Sequence, residues 1–549
     1  MATGTKQHTV MSGPAGLSLD EQYRIACQAL AHGDLKQASA LAQNILNADE
    51  RFAPAYALMA DIAEKVGNAE SAARFIDMAL RFSPNIFAYC FKRGQLAYLR
   101  QEWDVCEAML ERAHALNPSD TMALAILGDA YAAQRKIEPC VLAFKRARAI
   151  REDVVLDEHE GLSMLALGAL GSAEACFMRL LARDPEHARG RVHLAKVLVY
   201  SDRLDEAEPL LLEALERSEE DHEAQYFAAL WNLKRGNNRA ALEHIYRAAK
   251  IRDGRDDYEA LLVMLLKDQG LLKDCETVLR RILVRKPDDL VALHTLAQIL
   301  VPLKQEDEAR TIIHQVLKRR PDDMGLKHLL DAIDGHATAA PPDAYVRDLF
   351  DQYAEKFDSH LLGSLGYKTP YAMRDLLIAT AQQQGISLQN LSLLDLGCGT
   401  GLGAEVFKEM TDYRVGVDLS PKMLAKAADK QLYDSLHAAN VVDYAAAETR
   451  QYDLVAALDV LVYIGDLEPL FRAVKHCTPA GGVFAFSVEN GDDASSYALR
   501  SSGRYAHAAG YVTQLAEAHG FNVIAQEASV LRKEGEHDMS GWLFVLRKQ

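Results

Sequence analysis

A small residue returns every 34 positions over the first three hundred residues of this 549-residue chain. The series runs Ala38, Ala72, Cys106, Cys140, Ala173, Ala207, Ala241, Cys275 and Ala309, with one step of 33 between Cys140 and Ala173. Twelve positions before each stands a second small or apolar residue: Ala26, Ala60, Gly94, Gly128, Gly161, Ala195, Ala229, Val263 and Ala297. Twelve positions after the series, prolines fall in phase at Pro84, Pro118, Pro185, Pro287 and Pro321. A period of this length predicts stacked helix–turn–helix units. The small residues belong where two helices cross, and the proline helps stop the second helix of each unit.

The pattern, clearest in Leu127-Gly128-x-x-Tyr131 followed by Cys140-x-x-x-Phe144, resembles the tetratricopeptide repeat. The resemblance covers Leu19 to Asp322 and implies about nine repeats stacked into a right-handed superhelix with a concave groove. The array is assigned residues 18–335, after a disordered N-terminus over 1–17. Such arrays usually hold a protein or peptide in the groove, so a partner of that kind is expected. Self-association and packing on the rest of the chain stay open as uses of the array. Cys106, Cys140 and Cys275 replace alanine at the crossing position, and Cys27, Cys90 and Cys176 lie in helical segments, so packing is their expected role.

The eight cysteines form no C-x-x-C pair and the array's histidines show no ligand spacing, so no metal is expected. A formal net charge of −17 argues against a nucleic-acid partner. The absence of a long apolar run and of a signal-like start predicts a cytoplasmic protein with no membrane contact. His336-Ala337-Thr338-Ala339-Ala340-Pro341-Pro342 lacks apolar periodicity and is read as a linker (336–342). A helical approach segment, 343–385, opens the second domain. Its aromatics Phe350, Tyr353 and Phe357 share a helix face. They either pack on that domain or lid a pocket with Tyr353, Tyr367 or Tyr371 near the ligand, and both can hold.

The chemistry is concentrated in Leu393-Leu394-Asp395-Leu396-Gly397-Cys398-Gly399-Thr400-Gly401. An apolar strand ends there in a glycine loop whose bare backbone can meet a ligand. Some twenty residues later Val415-Gly416-Val417-Asp418 ends a second strand in a carboxylate, the spacing at which an α/β unit reads a ribose. Strands are predicted at Ser392–Leu396, Arg414–Asp418, Leu436–Ala439, Leu454–Leu458, Val483–Val488, Asn522–Glu527 and Gly541–Arg547. Helices fall between the first five, and the last two pair as a hairpin.

Asp395, the three glycines, Asp418 and the closing hairpin together resemble the class I S-adenosylmethionine-dependent methyltransferases. They favour that family over a nicotinamide or flavin enzyme, whose looser fingerprint Gly399-x-Gly401-x-x-Ala404 also matches. The resemblance spans about Tyr345 to Lys548. The expected fold is an all-α tetratricopeptide-repeat superhelix followed by an α/β Rossmann-like methyltransferase domain over 343–549. That domain should hold a seven-stranded mixed sheet ending in an antiparallel hairpin. The cofactor implied is S-adenosyl-L-methionine. By resemblance, Gly397, Cys398, Gly399, Thr400 and Gly401 face its methionine part, with Asp395 near the amino group. Asp418 takes the ribose hydroxyls, and Leu419 and Met423 lie beside the adenine. Asn440, followed by Val441, stands where the family usually has an acid for the adenine amine; Asp443 is the alternative alignment.

The fourth strand ends in Asp459-Val460-Leu461-Val462-Tyr463, where the fold opens onto the methyl group. This makes Asp459 and Tyr463 candidates for the acceptor side, and Asp459 is also assigned to the cofactor. The Asn/Asp-Pro-Pro-Tyr motif of amide and nucleobase amino methylation is missing. His507 is the candidate base, with Arg504, Tyr505 and Tyr371 as candidate substrate contacts; the other reading of Ser502–His507 is a capped helix start. Phe350-Asp351-x-Tyr353-Ala354-x-x-Phe357-Asp358, Val462-Tyr463-Ile464-Gly465-Asp466-Leu467 and Gly503-Arg504-Tyr505-x-His507 look like the bacterial methyltransferases that carry such repeats. Three functions stay open: a methyltransferase whose repeats recruit a protein, a small-molecule O- or N-methyltransferase, and a non-catalytic scaffold.

Overall fold

Where the first helix of a repeat carries glycine, the residue facing it is large. A Cβ on Gly128 or Gly161 would lie 2.5 Å from the ring of Phe144 or Phe177, and one on Gly94 would lie 2.6 Å from Leu110. Ala60 instead shares its cluster with Ile76, and Ala26 with Ala42. The helices trade volume across one contact, as interiors packed to crystal density require. Cys106, Cys140 and Cys275 are fully buried at their crossings. Burial pushes the first two thiols up to about 11 and about 12, so they act as small apolar side chains.

The computed structural model describes residues 17–354, 357, 367–492, 495–534 and 537–549. The expected disordered N-terminus, as far as residue 16, and residues 358–366 of the approach segment lie outside the described residues. The chain divides into residues 1–265 and 266–549. In the first unit, helix pairs run from Leu19–Ala31 with Leu35–Ala48 to His222–Lys234 with Asn238–Ile251. The second contains Leu272–Arg285, Leu290–Leu300, Glu306–Leu317 and a closing helix, Met324–Asp334. The turn within each repeat passes through one left-handed residue. Glycine supplies it at 33, 67, 168, 236 and 270, but Gln101, Arg135, Asp202 and Lys304 hold the same place with φ of 58° to 61°. That conformation costs an L-residue about 1–2 kcal/mol.

The rest of the second unit is an α/β region. It opens with α1 (Asp343–Tyr353) and α2 (Thr369–Gln384), followed by β1 (Leu391–Leu396), α3 (Leu402–Phe407), β2 (Thr411–Asp418) and α4 (Pro421–Asp429). Next come β3 (Ser435–Ala438), α5 (Val441–Ala447), β4 (Leu454–Ala457), α6 (Glu468–Cys477) and β5 (Val483–Asn490). The chain ends with β6 (Tyr497–Leu499), β7 (Tyr505–His507), α7 (Ala509–Ala518), β8 (Phe521–Glu534) and β9 (His537–Lys548). Strands β3-β2-β1-β4-β5 are parallel neighbours, and β9 runs antiparallel between β5 and β8. One face of the sheet is buried under Leu470, Phe471 and Val512 of α6 and α7, the other under Met373, Leu377 and Phe407 of α2 and α3.

All seven expected strands are present, but the sheet among the described residues has nine. The two additions, β6 and β7, are three residues each, too short to leave an alternating pattern in the sequence. They pair with each other, and β7 extends the tip of β5 through Glu489 and Asn490. The closing hairpin is longer than expected, continuing past the last β5–β9 pair, Glu489 with Gly541. A bulge between Val530 and Arg532 breaks the alternation, so that Leu531 and Arg532 are both buried.

The segment His336–Pro342 is hydrogen-bonded along its length. The Ala339 carbonyl accepts from the backbone N–H groups of Gly465 (2.8 Å) and Asp466 (3.0 Å). Thr338 Oγ1 meets the Tyr505 hydroxyl at 2.5 Å. Just before it, buried His328 of the closing helix donates from Nε2 to the Gly503 carbonyl at 2.9 Å. Its ring sits 5.5 Å from that of Tyr345.

Candidate functional site

At the C-terminal ends of β1, β2 and β4 the loops diverge around a cavity of about 530 Å³. This is where an open parallel sheet places its ligand crevice. Gly397, Gly399 and Gly401 have φ of 71°, 52° and 90°. The N–H groups of Gly397 and Cys398 both donate to the Val417 carbonyl, at 2.7 and 3.0 Å, clamping the loop to β2. Gly397, Cys398, Gly399 and Thr400 line the cavity; Gly401 does not, and instead starts α3. A Cβ on Gly399 would find only Phe357, at 3.8 Å, so the loop presents open backbone. Gly403 belongs to none of the motifs read from the sequence. A Cβ there would lie 2.6 Å from Asp395 Oδ2, so only glycine lets that carboxylate tuck beneath α3.

Two carboxylates stand beside the loop. Asp395 is buried and accepts from the Tyr433 hydroxyl at 2.7 Å. Asp418 accepts from Gly399 N at 2.9 Å and from Ser420 N at 2.8 Å. Leu419, Met423, Asn440, Val441 and Val442 continue the wall. Across from them α1 contributes Asp343, Val346, Leu349, Phe350 and Tyr353. Phe350 packs edge-on against Tyr463 at 5.3 Å, so the aromatic face of the approach segment covers the cavity and packs on the domain at once.

With this geometry the matches to known proteins have a place to fall. Residues 394–484 match the family described as methyltransferase domain, and residues 192–257 the one described as tetratricopeptide repeat. The chain joins a tetratricopeptide-repeat region to a class I methyltransferase domain. Over 117 residues it is 33% identical to a ubiquinone biosynthesis O-methyltransferase of Thiobacillus denitrificans, covering 20% of this chain and 50% of that one. A namesake from Bordetella avium is 29% identical over 128 residues, covering 23% and 53%. The chain therefore spans about half the length of the curated relatives it matches. The magnesium protoporphyrin IX methyltransferase of Synechocystis, solved with bound SAM, aligns with a TM-score of 0.29 and 16% identity, over 39% of this chain and 100% of that one.

Beyond the glycine loop, Asp459, Tyr463 and Arg504 line the cavity, joined by Tyr367, Arg532 and Lys533. Asp459 holds a left-handed φ of 59°. Its N–H donates to buried Ser487 at 2.8 Å, and its Oδ1 accepts from Arg532 Nη1 at 2.6 Å. Arg532 also donates to fully buried Glu489, whose other oxygen accepts from Arg500 at 3.2 Å. No sequence pattern announces this ladder, because its members lie on β5, the β4 end and the closing hairpin.

Three more expected residues, besides Gly401, lie elsewhere. His507 is fully buried beneath the loop after β4 and does not line the cavity; its Nε2 donates to the Gly465 carbonyl at 3.0 Å. Burial lowers its pKa to about 4, and Nδ1 has no hydrogen-bond partner among the described residues. Strand β7 turns this side chain inward, whereas Arg504, in the preceding turn, reaches the cavity. Tyr505 is spent on Thr338, and Tyr371 is 44% exposed with Arg374 over its ring at 5.7 Å. Among the described residues no group of three or more His, Cys, Asp or Glu is placed to hold a metal ion. No described helix is long and apolar enough to cross a membrane.

Burial raises Asp395 to about 6, against the opposing hydrogen bond from Tyr433. The stabilising contribution of the neutral acid is fully present below the ordinary carboxylate range and is lost as pH rises through about 6. A ligand ammonium needs the carboxylate form, so its affinity changes in the opposite sense. For a ligand whose ammonium sits on Asp395, calorimetric titration is expected to show affinity level above about pH 6.5 and falling about tenfold per pH unit below 6. In Asp395→Asn the step near pH 6 should vanish, leaving only the fall at lower pH from Asp418, which burial also raises.

Proposed function

We propose that the cavity binds S-adenosylmethionine and that the chain transfers its methyl group to an acceptor held beneath α1. The observation that carries this reading is the convergence of Asp395, the bare Gly397–Thr400 backbone and Asp418 on one cavity. The residues fit the cofactor's polar groups: Asp395 for the ammonium, Asp418 for the ribose hydroxyls, and Leu419, Met423 and Val441 for the adenine faces. The cofactor, when bound, supplies an activated methyl on a sulfonium. The chain's part is to align the acceptor, exclude water and take a proton where the acceptor must lose one. Phe350, Tyr353, Phe357 and Tyr463 supply the apolar cover. Asp459 has one oxygen held by Arg532 and offers the other to an acceptor hydroxyl or amine. His507, buried off the cavity, is left out of this scheme.

We assign the repeats to recruitment of a protein that is, or carries, the acceptor. The alternative, methylation of a small-molecule hydroxyl, is favoured by the O-methyltransferase relatives, whose acceptor chemistry is oxygen. Incubating cell lysate with methyl-labelled cofactor separates the two: label in protein supports recruitment, and label confined to small molecules removes it. For the site itself, Asp418→Ala is expected to weaken S-adenosylhomocysteine binding about 10- to 150-fold, the range for hydrogen bonds to a charged group. Unchanged affinity by calorimetry would take Asp418 out of the site.

A further inference from the structure

We infer that Asp343, from helix α1 outside the sheet, is the residue that reads the adenine amine of the cofactor; this rests on the S-adenosylmethionine reading above. The position after β3 is held by Asn440, and its amide is already committed. Asn440 Oδ1 accepts from Val442 N at 2.9 Å as the N-terminal cap of α5. That orientation leaves Nδ2 free of the cap, and Nδ2 donates to Asp343 Oδ1 at 2.9 Å. A second donor, such as an exocyclic amine, needs an acceptor, and the carboxylate beside Asn440 in the cavity wall is the one Asn440 holds. Asp343 lines the same cavity as Leu419, Met423 and Val441, and its Oδ2 has no hydrogen bond from a described residue.

The placement of Asp343 is fixed at both ends of its helix. Eight residues on, Asp351 Oδ1 accepts from Ser420 Oγ at 2.5 Å and from Lys422 N at 3.3 Å. Ser420 is the residue whose N–H donates to Asp418. Helix α1 is thus pinned to the loop after β2 by one acid and to the loop after β3 by the other. The acid expected at the end of β3 is supplied from α1 and oriented by the amide that replaced it.

The test is calorimetric, on the full chain, with S-adenosylhomocysteine and with S-inosylhomocysteine, in which the amine is a carbonyl. The unmodified chain should prefer the adenosyl ligand by at least about tenfold. Asp343→Ala should lose about tenfold for the adenosyl ligand and almost nothing for the inosyl one, collapsing the preference. Asp343→Asn, whose amide can also donate, should narrow the preference from the inosyl side. Asn440→Ala should fall between. Asp343→Ala that keeps the full preference would overturn the inference while leaving the cofactor reading intact. An unmodified chain that binds neither ligand would defeat both. Because Asp343 is exposed, a thermal midpoint within a few degrees serves as the folding control.

Discussion

Replacing Arg532 by methionine is expected to destabilise the α/β region by about 3–5 kcal/mol, the cost of leaving a buried partner charge uncompensated. The Arg532 side chain is 2% exposed and Glu489 is wholly buried, so water cannot take over when the guanidinium is removed. Arg500 remains on the other Glu489 oxygen but reaches only one of the two sites. The paired variant Arg532→Met/Glu489→Gln, which removes cation and anion together, should recover more than half of the loss. Trp542 on β9 gives a local readout, since the other two tryptophans, Trp103 and Trp231, lie in the repeats. Urea unfolding followed by Trp542 fluorescence, with both of those changed to phenylalanine, measures the effect. A shift under about 1 kcal/mol in Arg532→Met would show that the ladder contributes little.

Gly397→Ala is expected to cost about 2–5 kcal/mol and to abolish measurable cofactor binding. Two terms add. The position has φ of 71°, which costs an L-residue about 1–2 kcal/mol. The new Cβ would lie 2.2 Å from Val460 Cγ2, an overlap relieved only by moving the loop after β4, for about 1–3 kcal/mol more. Both Gly397 and Val460 line the cavity, so the same displacement distorts the wall. Adding Val460→Ala removes the two methyl groups at 2.2 and 3.0 Å and should return most of the steric part, leaving the backbone part. Full recovery in the double variant, by the same urea titration, would mean that the left-handed conformation carries no cost here.

The repeats are legible in the sequence because their packing rule is written in residue type: small at the crossing, proline after it. Their turns are not, since Gln101, Arg135, Asp202 and Lys304 occupy the left-handed position without being glycine. The cradle is legible for the same kind of reason, as Gly397 to Thr400 and Asp418 follow from backbone conformation and strand spacing. What escapes depends on residues far apart in the chain. Asp343 meets Asn440 across 97 positions and Arg532 meets Asp459 across 73. A motif inside one stretch also says nothing of which way a short strand turns, and Gly503-Arg504-Tyr505-x-His507 sends only its arginine to the cavity. The closing hairpin is expected from the sequence as an end to the sheet. Its bulge, which carries Arg532 inward, lies in a stretch with no distinguishing pattern.

The bonds of His328 and Thr338 to β7 and the turn before it, and of Ala339 to the loop after β4, have a consequence for how such proteins can be assembled from parts. A recombination event, natural or engineered, that exchanged the stretch ending at Pro342 would carry away two residues of the cavity wall, Ala340 and Pro341, and the struts behind them. Swaps upstream of Met324 spare every one of these bonds. The tolerant crossover point therefore lies ahead of the closing helix and not at the proline pair. A lineage of chimaeras that exchanged its repeats would be expected to vary the earlier ones and to inherit the closing helix with the α/β region.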